Sequence, residues 1–108
     1  MFGDFAGMMG KLQEAQKKIE ETKTRLKTIL IDEETANGKV KVTVTADGLV
    51  KNISIAEDLK DTEEIEDYVV LALNNALTKA NEMKERELAV AAKDGMPNIP
   101  GMDNMFNH

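Results

Sequence analysis

Valine alternates with polar residues from Val40 to Thr45, VKVTVT, and this period of two predicts a strand with one buried face. Asp47-Gly48 then offers a two-residue type I′ turn, because Asp tolerates positive φ and Gly takes it freely. With those two residues as the loop, Ala46 lies opposite Leu49, Val44 opposite Lys51, Val42 opposite Ile53 and Val40 opposite Ile55. These positions share one face, and Lys41, Thr43, Asn52 and Ser54 occupy the other. Lys51 falls on the apolar face in this register, reaching water from the core edge by its long stem. Upstream, Asn37-Gly38 supplies a second type I′ turn. It sets Ile31 opposite Val44, Ile29 opposite Ala46 and Glu34 opposite Lys41, an opposite-charge pair worth about 0.2 to 1 kcal/mol. Both turns agree on one apolar face. The result is a three-stranded antiparallel meander, with Glu33 and Thr35 at its polar, exposed end.

Helical patterns flank the meander. From Asp4 to about Lys27, Leu12, Ala15, Ile19, Thr22 and Leu26 are spaced four, three, four and three apart, a narrow apolar seam at heptad spacing. Phe2, Phe5, Met8 and Met9 extend it upstream, but Gly3, Gly7 and Gly10 each weaken helix by about 1 kcal/mol relative to Ala, so residues 1–10 are expected to fray. After Ile55, Asp61 caps a second helix with Glu64 three residues on, and Glu63, Glu66 and Asp67 meet the positive end of its dipole. Nothing interrupts this helix before Gly95. Its packing stripe is Ile65, Tyr68, Val69, Ala72, Ala76, Ala80 and Met83, flanked by Leu73 and Leu77. The fold class is α+β: an α-β-β-β-α domain over residues 1–95, followed by an irregular, mobile Met/Pro/Gly-rich tail over 96–108.

A helix of roughly 30 residues is about 45 Å long, whereas a strand of about seven residues spans about 23 Å. The excess apolar stripe needs another chain, and a three-stranded sheet has two open edges. An intertwined homodimer is therefore expected. Its candidate interface residues are Leu12, Ile19, Leu26, Asn74, Asn75 and Leu77; the two asparagines are poor helix formers in mid-helix and point to an interhelix or interface hydrogen bond.

Composition narrows the chemistry. The 108 residues contain no cysteine, which excludes disulfides and thiolate metal sites. No secretion leader or membrane-length apolar run is present, so a soluble, intracellular protein is expected. The net charge of −6 is unevenly spread. Residues 1–30 carry six basic and four acidic groups, while 61–108 carry four basic and ten acidic. The densest basic group is Lys11, Lys17, Lys18, Lys23, Arg25 and Lys27. On a projecting helix these could line a groove for duplex DNA; as a solvated face they would instead form i, i+4 pairs, Glu14 with Lys18 and Glu21 with Arg25. Enzymatic chemistry has little to stand on: the single histidine is the terminal His108, and the carboxylates cluster where capping explains them. No cofactor, metal or small-molecule substrate is expected.

The order of these pieces resembles the YbaB/EbfC family of small bacterial nucleoid-associated proteins. The resemblance rests on a Met/Gly-rich start leading into Leu12-Gln13-Glu14-Ala15-Gln16, then on Gly38-Lys39-Val40-Lys41-Val42-Thr43-Val44 and Val50-Lys51-Asn52-Ile53-Ser54-Ile55. It continues through Glu63-Glu64-Ile65-Glu66-Asp67-Tyr68-Val69, Ala72-Leu73-Asn74-Asn75-Ala76 and the Gly/Met/Pro tail. Ala56-Glu57 stands where the family usually has Asp-Pro. The resemblance implies a cytoplasmic, nucleoid-bound homodimer whose helices project like tweezer arms and contact DNA without enzymatic activity. The rival expectation is an acidic dimeric scaffold that binds another protein, with DNA contact indirect or absent. A weaker third, membrane docking through Phe2, Phe5, Met9 and Leu12, is not favoured.

Overall fold

The computed structural model describes residues 2–95. In chain order they form α1 (Phe2–Leu26), β1 (Leu30–Thr35), β2 (Val40–Thr45), β3 (Val50–Ile55) and α2 (Thr62–Gly95), the expected α-β-β-β-α protomer. The expected mobile tail, with Met96, Met102, Met105 and His108, lies outside the described residues. The strands form one antiparallel sheet in the order β1-β2-β3.

The first turn keeps the register that the sequence predicts, although Ala36 also takes positive φ, at 54°. Asn37 and Gly38 both have positive φ, 56° and 84°, and the Lys39 N–H donates to the Ala36 carbonyl at 3.2 Å. Ile31 pairs with Val44 and Glu34 with Lys41. Glu34 makes no ion pair with Lys41; its carboxylate folds over the turn, 3.7 Å from where a Gly38 Cβ would stand.

The second turn differs. Only Gly48 has positive φ, at 95°, and the Thr45 N–H donates to the Leu49 carbonyl at 2.8 Å. Ala46, Asp47 and Gly48 thus make a three-residue loop, a familiar hairpin solution with glycine in the left-handed position. The Thr45 hydroxyl donates to the Asp47 carboxylate and accepts from the Leu49 N–H at 3.0 Å, holding Asp47 out of the positive-φ conformation that a type I′ turn requires. The extra loop residue shifts the register, so Val44 pairs with Val50 and not with Lys51, and Ala46 is not opposite Leu49. A bulge leaves Lys51 unpaired between Val50 and Asn52 and restores the expected pairs Thr43 with Asn52, Val42 with Ile53 and Val40 with Ile55. Lys51 therefore does not sit on the apolar face opposite Val44; Val50 does.

Helix α2 starts as its capping signal predicts. The Glu64 N–H donates to Asp61 Oδ1 at 3.1 Å and the Ile65 N–H to the Asp61 carbonyl at 2.9 Å. Ala72, Ala76 and Ala80 are buried against Val40, Val42 and Val44, with Ile31, Leu59, Tyr68, Val69, Leu73 and Leu77 packed around them. The small alanines let the helix approach the valine row closely. Glu33 and Thr35 are not at an exposed end. They share the parity of Ile31 and face α2, where the Thr35 hydroxyl donates to the Tyr68 carbonyl at 3.0 Å. The Glu33 carboxylate, 15% exposed, pairs with Lys79. One otherwise unpartnered buried oxygen, Glu33 Oε1, is the atom that Lys79 approaches.

Candidate nucleic-acid interface

The 34 residues of α2 extend about 51 Å, against about 20 Å for its six-residue strands. The overhanging half packs against α1 to form a two-helix arm. Leu26 is 1% exposed, and Ala15, Thr22 and Ala91 are also buried. The Arg25 guanidinium donates to Glu87 Oε2 at 2.7 Å, an ion pair between the helices. The expected Glu21–Arg25 and Glu14–Lys18 pairs do not form among the described residues. Lys23 instead reaches Glu20 at 3.5 Å.

All six basic candidates are exposed, on α1 or, for Lys27, just beyond it. At 100° per residue they divide into two flanks. Lys11, Lys18 and Arg25, seven apart, run along one side of the seam. There Lys18 and Arg25 share a groove with Glu21, Glu87 and Asp94, which offsets their charge. Lys23 and Lys27 lie on the other side, and Lys17 on the outer face. Lys23 and Lys27 line a hollow at the base of the arm with Lys84 of α2, beside Leu26, Leu88 and Asp47, the one acid among the described residues that line it. Lys84 was not among the sequence candidates; its signal was Met83 on the packing stripe, which places the next residue on a flank of α2.

The candidate interface residues scatter too. Leu26 has no surface left outside its own chain. Ile19 is half-buried in the seam, Leu77 is half-buried beside the core, and Leu12 is exposed. Asn74 and Asn75 are exposed and make no side-chain hydrogen bond among the described residues, so no interhelix bond forms within the protomer.

A larger apolar surface opens elsewhere. Thr35 and Glu33 tie one flank of α2 to β1 through Tyr68 and Lys79, so Val70, Leu73 and Leu77 lie on the opposite flank, toward β3. Helix α2 packs across β1 and β2. The β3 row Val50, Ile53 and Ile55 is left 40 to 42% exposed, and Val70 is 58% exposed. Helix and edge strand thus form an uncovered apolar trough. No helix among the described residues is long and apolar enough to cross a membrane.

A two-layer α+β protomer whose paired helices project from a small three-stranded sheet, with lysines lining the base of the arm, defines the class. The comparisons with known proteins specify it. A family model described as the YbaB/EbfC DNA-binding family matches residues 1–96. A nucleoid-associated protein of Flavobacterium johnsoniae is 56% identical over 104 residues, covering 95% of this chain and 98% of that protein. One from a Psychrobacter species is 40% identical, with coverage of 92% and 94%, and one from Bordetella avium is 35% identical, with coverage of 98% and 99%. The crystal structure of an uncharacterized Helicobacter pylori protein has the same fold, with a TM-score of 0.69 at 22% identity over 76% of this chain and 89% of that one. The chain belongs to the YbaB/EbfC DNA-binding family.

Proposed function

We propose that this chain is a non-enzymatic nucleoid protein, cytoplasmic and active as a homodimer, that contacts duplex DNA through the lysines of its helical arms. The observation that carries the reading is the cluster of Lys23, Lys27 and Lys84 at the arm base, with Lys17 on the adjoining face; Glu20 offsets Lys23 alone, and Asp47 is the only acid among the described residues that line the hollow. Phosphate neutralisation needs such locally unbalanced charge, and it operates despite a net charge of −6 because screening limits repulsion by acids more than about 10 Å away. Asp61, Glu63, Glu64, Glu66 and Asp67, at the start of α2, lie at the opposite end of the sheet from the arm. The relatives' name, nucleoid-associated protein, and the family's description support the same reading.

The trough supports the homodimer. A row of three apolar residues on β3 beside Val70, Leu73 and Leu77 offers a self-complementary face, and a twofold axis through it would bury both copies' rows together. Of the candidate interface residues, Leu77 lies on this surface. The two arms then project from one platform.

A salt-dependent titration tests the DNA reading. Affinity for a duplex falls steeply with salt, and the Lys17, Lys23, Lys27 and Lys84 to Gln variant binds more weakly, with a slope smaller by roughly 0.9 for each phosphate no longer neutralised. Lys11→Gln with Lys18→Gln changes it less. Absence of binding at about 50 mM salt rejects direct contact and favours the acidic scaffold.

A further inference from the structure

The seam of α1 outruns its partner helix. Asp94 lines the same groove as Lys18, so α2 reaches its last described residue, Gly95, about opposite Lys18. From there α1 continues to Phe2, a further 24 Å or so. The seam that is buried through Leu26, Thr22 and Ala15 continues along this stretch as Leu12, Met9, Met8 and Phe5, which are 39 to 67% exposed. Residues 5–12 hold one charged side chain, Lys11. One cation is too little to draw the stripe to an anionic lipid surface or to hold it on DNA. Nor does the stretch stand well alone. A projecting helix of about a dozen residues is marginal in water, and Gly3, Gly7 and Gly10 each weaken it by about 1 kcal/mol. A nearly uncharged, apolar cover fits it best, and the same stripe on another copy has that chemistry.

We propose that the stripe from Phe5 to Leu12 docks on the same stripe of a second copy, antiparallel, about a twofold axis between Met8 and Met9. In that register Phe5 of each copy faces Leu12 of the other, and Met8 faces Met9. The helix dipole sets the direction: parallel pairing would place two positive N-termini side by side, whereas antiparallel pairing separates them. Antiparallel tips approach head-on, so they come from two different dimers and not from the two arms of one platform. Dimers on separate stretches of DNA are thereby joined tip to tip. The contact is small, since eight residues a side fall well short of the roughly 20 to 30 of a standard interface. It therefore forms where copies are concentrated, as along one DNA molecule, and not in dilute solution. The inference rests on the dimer reading above but uses a surface outside the trough.

Light scattering of the full-length protein should show a two-chain particle at micromolar concentration whose mass doubles toward about 1 mM, the range of local concentration that linkage supplies. Met8→Glu places a carboxylate at the centre of the pairing and should hold the particle at two chains, with the circular dichroism of the parent. A parent that does not double, or a Met8→Glu variant that does, overturns the proposal. The chain has no cysteine, so a second measurement reads the register. Phe5→Cys protein mixed with Leu12→Cys protein should form the mixed disulfide about tenfold faster than Leu12→Cys pairs with itself, because antiparallel docking sets the two Leu12 positions about 10 Å apart along the helices. Equal rates overturn it. The rate ratio should persist in the Val70→Glu background, where the trough contact is removed, so failure of the trough dimer and failure of the stripe are read separately. Loss of the ratio there overturns the stripe pairing.

Discussion

Arg25 spans the two helices of the arm and ends on Glu87, 2.7 Å from its carboxylate, although Glu21 stands one turn away on its own helix. The pair is half-exposed, so its contribution to stability is small, about 0 to 1 kcal/mol. Its effect on charge is larger, since a guanidinium held by a carboxylate has little left for a phosphate. Arg25→Gln is therefore expected to leave the slope of log affinity against log salt unchanged, while Lys27→Gln reduces it. Titrations of both variants at several salt concentrations check the contrast.

Charge placed in the trough should separate the protomers. Val70→Glu puts a carboxylate on a position that is 58% exposed in the single chain, so the fold tolerates it, but a dimer would have to bury it unpaired. The expected outcome is a particle of 11.9 kDa by light scattering, with the circular dichroism of the parent. A variant that still dimerises moves the interface elsewhere.

Gly48 is a conformational requirement without a steric one. A Cβ there meets nothing within 4 Å, yet φ is 95°. Gly48→Ala is expected to lower stability by about 1 to 2 kcal/mol, the left-handed cost for an L-residue, measured by urea unfolding. Gly48→Asn should recover part of that loss.

Asp58, after β3, lies 2.9 Å from Lys39 Nζ. The hydrogen bond from Lys39, with its positive charge, holds the Asp58 carboxyl below its ordinary value of 3.8. Because the folded state lowers this pKa, the pair contributes stability above the unfolded value, and the contribution disappears as pH falls through the folded one. Lys39→Met should return the Asp58 titration toward 3.8, observable by NMR of its carboxyl carbon, and flatten this part of the acid limb.

How far the sequence shows this depends on whether the determining contacts are local. The cap at Asp61, the Asn37-Gly38 turn and the alanine stripe of α2 are legible because each is decided within one turn or one strand. The register near Lys51 is not, since an Asp-Gly pair fits both a two-residue and a three-residue loop, and the choice rests on the Thr45 hydroxyl. Glu33 is legible by parity with Ile31 but reads as solvent-facing until Lys79, 46 positions away, supplies its counter-charge. The basic residues of α1 are all visible in the chain, but their division into two flanks depends on Glu87, Asp94 and Lys84, which α2 brings alongside.

The displaced lysine in β3 also bears on how many copies can join. A strand approaching the free edge of this sheet would meet a hydrogen-bonding ladder interrupted at Lys51, with a charged side chain beside the gap. Neither half of β3 is then long enough to template another strand, which discourages open-ended stacking of sheets into fibres. Growth by the β3 edge is discouraged while contact through the apolar face beside it stays available, which favours pairing by that face over pairing by that edge.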